Sequence, residues 1–109
     1  MIKISVNPKK YQLSIKGHAE YSESGTDIIC ASVSFGFYTL AQSMLDYFGM
    51  GMLCKEPDMK DNKGNSAIKV IPKKEYESNV QICFATIVRG FEVLSIQYPE
   101  FVNLKITEH

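Results

Sequence analysis

The sequence predicts an α+β fold, a two-layer sandwich in which two helices pack on one face of a mixed β-sheet. Two long stretches repeat apolar residues every three or four positions, which indicates amphipathic helices. Five short stretches are strand candidates, and four of them alternate apolar and polar residues as half-buried strands do. The predicted order is β-β-α-β-β-α-β, and 109 residues suffice for one hydrophobic core. We therefore expect a single domain over residues 1–109.

The first two strands are predicted to form a hairpin. Apolar residues alternate over residues 1–6 and again from Tyr11 to Ile15. Residues 7–10 read Asn-Pro-Lys-Lys, a turn in which proline fixes φ and asparagine can bond its own backbone. Gly17 ends the second strand. The small and polar residues 18–26 then predict an exposed loop.

The first helix is predicted from Asp27 to about Phe48. Asp27 or Thr26 is the expected N-cap, which places Cys30 near the third helical position. Gly36 within the helix predicts close approach of another backbone or a ligand. No charged residue lies between Ile28 and Leu45, although serine, threonine and glutamine interrupt the apolar run. We therefore expect coverage by the sheet and by another subunit, and no membrane span. The expected buried stripe is Ile29, Val33, Phe37, Leu40, Met44 and Phe48.

The second half of the chain repeats the pattern. Residues 52–59 are a weak third strand, kept short or at an edge by Pro57. Residues 61–65 predict a turn, and a fourth strand follows over residues 67–71. Glu75 and Glu77 suit the start of the second helix, which Pro99 ends before a last strand over residues 102–106. The apolar stripe of this helix is Val80, Cys83, Phe84, Ile87, Val88, Phe91, Leu94 and Tyr98.

Composition narrows the possible functions. Twelve basic residues balance twelve acidic ones, so the sequence predicts no direct contact with nucleic acid or a membrane. Three cysteines without close spacing, and no secretory leader, predict free thiols in a reducing cytoplasm. Two histidines and three scattered cysteines make a poor metal site, so we expect neither a metal nor another cofactor.

One pair of residues suggests chemistry, namely His18 and Cys30, twelve positions apart. A helix N-terminus stabilises a thiolate, and its free amides can hold an oxyanion. His18 is the histidine placed to act as a base, since His109 is the last residue. The alternatives are an ordinary surface histidine and a cysteine buried as a small hydrophobe. Cys54 and Cys83 are expected to be packing residues.

Two further side chains flank this pair. Ser34 lies one helical turn after Cys30 on the same face, where its hydroxyl could bond near the thiol. Bonding back to a helix carbonyl is an equally good interpretation. Asp27 is interpreted first as the helix cap. It could also orient the imidazole of His18, but its negative charge beside Cys30 would oppose thiolate formation.

At these residues the sequence resembles a known family. Gly17-His18-Ala19, seven further residues, then Asp27-Ile28-Ile29-Cys30-Ala31 and Ser34 resemble the signature of the ribosomal-processing cysteine proteases (Prp, or YsxB-like proteins). The order of elements resembles that family over the whole chain. Glu20 and Ser32 depart from the pattern, where a smaller residue and alanine or glycine are more usual. Glu20 could alter substrate preference.

The resemblance implies a dimeric cytoplasmic cysteine endopeptidase that needs no cofactor. Its substrate would be the precursor of large-subunit ribosomal protein twenty-seven, from which such enzymes remove a short N-terminal extension. Cys30 would be the nucleophile and His18 the base, with Gly17, Asp27 and Ser34 as supporting residues. The family's substrates carry aromatic residues before the cut, and candidates to receive them are Tyr21, Phe35 and Tyr38, unless these belong to the core.

A second hypothesis is a non-catalytic dimeric module that binds a ribosomal protein, with Cys30 a packing residue. The two hypotheses differ in whether the side chains of His18 and Cys30 can approach to hydrogen-bonding distance.

Overall fold

The elements of the fold follow the predicted order. A computed structural model describes residues 1–17, 24–62 and 64–107, with the side chains of residues 24–27 excepted. A 3-10 turn over Lys74–Tyr76 leads into the second helix. The elements are β1 (Ile2–Asn7), β2 (Gln12–Lys16), α1 (Ser24–Gly49), β3 (Asp58–Asn62), β4 (Asn65–Lys69), α2 (Glu77–Gln97) and β5 (Val102–Ile106). The predicted α+β class and strand–helix order are therefore confirmed.

The five strands form one mixed sheet in the order β3-β4-β2-β1-β5. β1 pairs with β5 in parallel, and the other three neighbouring pairs are antiparallel. The predicted hairpin of β1 and β2 is present, and the Lys10 N–H donates to Asn7 Oδ1 at 3.1 Å across its turn. In register, Ile4 lies opposite Ile15 on one side and Leu104 on the other. Every second residue of the sheet therefore shares one face.

The core lies between that face and the two helices. α1 buries the predicted stripe, with the exception of Phe48, which is 40 % exposed near the end of the helix. α2 buries Val80, Phe84 and Phe91 and half-buries most of the rest of its predicted stripe. The sheet contributes Ile2, Ile4, Val6, Leu13, Ile15, Ile68 and Val102 to the same core.

The two helices approach each other closely at Gly36. A Cβ atom at this position would lie 2.7 Å from Cε1 and 2.8 Å from Cζ of Phe91, whose ring is buried. A close neighbour is present at this glycine, but it is the Phe91 side chain of α2 and not the predicted backbone or ligand.

Both helices are as long and apolar as membrane-spanning helices, over Ile28–Gly49 and Lys74–Gln97. Each packs an apolar stripe against the core, as a core helix does, so their hydropathy does not require a membrane.

The predicted third strand is displaced. β3 begins at Asp58, and Leu53 in the predicted segment forms an isolated bridge with Pro72. All five residues of β3 are exposed, because β3 is an edge strand held by pairing with β4 and carries no buried face. The predicted turn is narrower than residues 61–65, since Asn62 pairs with Asn65. β4 accordingly begins two residues earlier than predicted.

Candidate active site

Cys30 lies further along α1 than the sequence indicates. The helix begins at Ser24, three residues before the predicted Asp27 cap, so Cys30 is its seventh residue. The N-cap interpretation of Asp27 is therefore wrong, and part of the predicted loop over residues 18–26 is helical. The free N–H groups of an α-helix are its first four, and its dipole acts within the first turn. Cys30 therefore lies beyond both the free N–H groups and the first-turn dipole that were expected from the sequence to stabilise its thiolate.

Cys30 borders a small cleft between α1 and one end of the sheet. Its side chain is half-buried against the core and lines a cavity of about 120 Å³. Gly17 contributes from the end of β2, and Gly64, Asn65 and Ser66 contribute from the β3–β4 turn and the start of β4. Three stretches distant in sequence thus meet around the thiol.

The backbone of Gly17 fixes how the chain leaves β2 beside this cleft. Its φ is +95°, a conformation that other residues rarely adopt, and a Cβ atom at this position would clash with the Met1 carbonyl oxygen. Its N–H donates to the Gly64 carbonyl at 3.0 Å. The fold therefore requires a glycine at this position, whereas the supporting role of Gly17 in the site stays a prediction.

His18 itself lies outside the described residues, as do Glu20 and Tyr21, and the side chain of Asp27 is also not described. The pairing of His18 with Cys30 stays a prediction. Among the residues that the structure does describe, no group of three or more His, Cys, Asp or Glu side chains could hold a metal ion.

Ser34 lies one turn beyond Cys30 and is exposed. It lines both the cavity at Cys30 and a neighbouring one of about 260 Å³. Its hydroxyl has no hydrogen-bond partner within the described part of the chain, whereas Ser32 bonds back to the Ile28 carbonyl at 2.8 Å. Within the described residues the alternative that Ser34 bonds back to a helix carbonyl is therefore wrong, and its hydroxyl lines the cleft.

The far end of the cleft, in the neighbouring cavity, is lined by a hydrogen-bonded group that sequence spacing does not reveal. The Tyr38 hydroxyl donates to Oδ2 of Asp61 at 2.7 Å, and the Ser66 hydroxyl donates to Oδ1 at 2.9 Å. The hydrogen bond to Asp61, then its negative charge and then burial raise the pKa of Tyr38. Asp61 reads as a turn residue in the sequence, and its pairing opposite Ser66 is visible only once the register is known.

The cleft therefore runs along one face of α1. Cys30, Ser34 and Tyr38 are spaced four residues apart, so they span about 12 Å of helix. That length equals about three or four residues of extended peptide. The geometry suits a peptide lying across the thiol.

The other candidates fall elsewhere. Phe35 is 74 % exposed and lines a separate apolar groove of about 620 Å³ between α1 and α2. Cys83 is half-buried against the core, as predicted. Cys54 is exposed, so its prediction as a packing residue is wrong, and its Sγ lies 3.6 Å from the Pro72 carbonyl oxygen.

Comparison with known proteins gives a family match over most of the chain. Residues 1–103 match the model of a family described as cysteine protease Prp. The ribosomal processing cysteine protease Prp of Mycoplasma genitalium is 31 % identical over 101 residues, which cover 91 % of each chain.

Solved structures share the fold. The Prp protease of S. aureus, an essential ribosomal processing protease crystallised with a covalently linked product peptide, superposes with a TM-score of 0.70. That match has 23 % identity and covers 97 % of each chain. The same protease with a substrate peptide also gives a TM-score of 0.70, at 21 % identity and the same coverage.

Proposed function

The chain belongs to the Prp family of cysteine proteases, and on that premise we propose that it is an endopeptidase whose nucleophile is Cys30 and whose base is His18. One observation carries the proposal. The Cys30 side chain lines a cleft whose wall includes Gly17, the residue covalently joined to His18. Gly17 borders the cavity that Cys30 lines, and this supports pairing of the next residue, His18, with the thiol.

The reaction follows from the chemistry of these two groups. His18 takes the thiol proton, and the Cys30 sulfur attacks the peptide carbonyl carbon to give a tetrahedral oxyanion. The C–N bond breaks as the imidazolium gives its proton to the leaving amine. Water then hydrolyses the thioester, with His18 as the base, and the thiol is regenerated. No metal or cofactor enters these steps.

The oxyanion needs a donor other than the free amides of the helix start, because these precede Cys30 by at least three residues. We assign this supporting role to the Ser34 hydroxyl, which lines the same cavity. Removing one such donor typically costs about 10²–10³ in kcat. Asp27 is proposed to orient His18, since the start of α1 at Ser24 removes its role as the N-cap.

The proposed substrate is the precursor of large-subunit ribosomal protein twenty-seven, cut after aromatic residues. This follows from the family and from the names of relatives as ribosomal processing proteases. Tyr38 borders the cleft near Ser34 and is the described aromatic residue best placed to contact an aromatic substrate side chain. Phe35 faces the groove between the helices and is not assigned this role.

We propose a symmetric homodimer in the cytoplasm. The groove between α1 and α2 exposes large apolar side chains, among them Phe35 at 74 % and Ile28 at 65 %. An exposed apolar patch of this kind marks an interaction surface, and a twofold contact needs one self-complementary patch. Free thiols suit a reducing compartment.

The deciding experiment is to incubate the purified chain with a peptide that spans the cleavage junction of the precursor from the same genome. Cleavage by the parent and by Cys54→Ala, with none by Cys30→Ala or His18→Ala, is the expected result. If the chain binds the peptide and every form leaves it intact, the non-catalytic binding module is the correct function and the protease proposal fails.

A further inference from the structure

The face of the sheet that points away from the helices is basic. Strand alternation and register place on it five lysines, Lys3, Lys16, Lys60, Lys69 and Lys105, all exposed. Among the described strand residues of this face the acidic one is Asp58, opposite Lys69. The described strand residues of this face thus include five of the twelve basic residues of the chain and one of its twelve acidic residues. Although the net charge of the chain is zero, the fold concentrates positive charge on this face.

The middle of this basic face is formed by small side chains. One row across the sheet reads Lys60, Ala67, Ser14, Ser5 and Lys105 in register. Neighbouring strands lie about 4.8 Å apart, so this row is about 19 Å wide, with a lysine at each end. A shallow trough of about 490 Å³ follows the row and is lined by Ser5, Ser14, Ala67 and Lys60. A partner can therefore lie on the backbone between the lysines.

Protection of sheet edges accounts for part of this pattern. Lysines on edge strands discourage pairing with other sheets, which explains Lys60 on β3 and Lys105 on β5. Lys3 and Lys16 lie on the inner strands β1 and β2, directly opposite each other. Like charges in such a pair destabilise a sheet. A bound anion would offset this repulsion.

We propose that the basic face binds the phosphate backbone of a structured nucleic acid, RNA or DNA in duplex form. The described part of the face carries no aromatic side chain for stacking on bases and no large apolar side chain for insertion into a bilayer. Phosphate contact is what remains for a lysine-rich surface of this width. A duplex presents its phosphates in a fixed geometry. A disordered acidic peptide would lose conformational entropy on binding, which lowers its affinity. The net charge of zero predicts no contact with nucleic acid, but net charge is summed over the whole surface and does not reveal a single basic face.

This site lies on the opposite side of the sheet from the Cys30 cleft, and binding is independent of proteolysis. The test is fluorescence anisotropy of a labelled RNA duplex of about 20 base pairs, titrated with the full chain over a range of salt concentrations. The parent should bind, with an affinity that falls as salt rises. Lys3→Gln/Lys16→Gln should lower the slope of log K against log salt by about 2. Lys73→Gln/Lys74→Gln removes equal charge beside α2 and should leave the slope unchanged.

Competition identifies the partner class. If a DNA duplex of the same sequence competes as well as unlabelled RNA, the face recognises only the phosphate backbone. If the DNA duplex competes less well, the preferred ligand is RNA. Poly-glutamate or anionic vesicles that compete as well as RNA would overturn the proposal. Absence of duplex binding at about 50 mM salt, or equal loss in both double variants, would also overturn it. Because no cleavage is measured, failure here leaves the protease proposal untouched.

Discussion

The Tyr38 hydroxyl on α1 donates a 2.7 Å hydrogen bond to Oδ2 of Asp61 on β3, and this bond joins the helix to the edge strand across the end of the Cys30 cleft. The bond and the negative charge of Asp61 raise the pKa of Tyr38 above 10.0. The neutral phenol is thus favoured by the fold. Its contribution to stability is present below pH 10 and is lost as pH rises through the pKa of the folded protein.

Tyr38→Phe should therefore lower the free energy of unfolding by a constant amount below pH 10 and by less above it. Urea denaturation on both sides of pH 10 measures this. Asp61→Asn should move the ionisation of Tyr38 back toward 10.0, seen as a difference in tyrosinate absorbance against the parent. Ionisation of Tyr38 at the same pH in both proteins would contradict the role given to Asp61.

A second prediction uses two glycines of the same helix pair. Gly36→Ala places a methyl group 2.7 Å from the buried Phe91 ring, and overpacking of this kind costs about 1–3 kcal/mol. Gly90→Ala on α2 meets no atom within 4 Å, so the better helix propensity of alanine should add about 0.5–1 kcal/mol. Chemical denaturation of both variants compares them. Equal effects would mean that the contact with Phe91 relaxes without cost.

The reactivity of the three thiols is a third prediction. Cys54 is exposed and Cys30 is half-buried, so exposure alone favours labelling of Cys54. A neighbouring imidazolium stabilises a thiolate, and iodoacetamide at about pH 6 should instead label Cys30 first. Tryptic mass spectrometry distinguishes the sites. His18→Ala should slow labelling of Cys30 without affecting Cys54, and Cys30→Ser should not cleave. Preferential labelling of Cys54 in the parent would argue against the Cys-His pair.

The proposed dimer gives a fourth prediction. Light scattering at micromolar concentration should report twice the chain mass of 12.3 kDa. Phe35→Asp should shift the protein to the monomer, because a charge would be buried in an apolar contact. Met50→Asp changes an exposed apolar residue beyond the end of α1 and serves as the control. A parent protein of 12.3 kDa at all concentrations would rule out the dimer.

The sequence predicts those parts of the fold where burial leaves a periodic pattern. The stripes that begin at Ile29 and Val80 and the alternation of Ile2, Ile4 and Val6 all result from one apolar core. β3 carries no such pattern, because an edge strand with every residue exposed is formed by hydrogen bonds to β4. Its position could not be read from hydropathy. The start of α1 at Ser24 was missed because Asp27 satisfies the same local preferences as an N-cap.

The candidate site was predictable to a similar extent. Gly17, Cys30 and Ser34 were named from the sequence, and they line one cavity. Asp61 and Ser66 were not, because their meeting with Tyr38 depends on the β3–β4 register and not on sequence spacing. The basic face is not evident from the composition, because most of its lysines alternate with core residues along the strands and the chain as a whole is neutral.

The parallel pairing of β1 with β5 bears on when the protein becomes complete during synthesis. The Ile2 N–H donates to the Phe101 carbonyl at 2.7 Å, and Ile2 also lines the cavity at Cys30. The ribosome synthesises a chain from its N-terminus, so Cys30 is released long before β5, the strand that pairs with β1. Contacts this distant in sequence form late in folding. The cleft should therefore acquire its final shape only after β5 has been released, and the thiol of a nascent chain precedes the site that would use it.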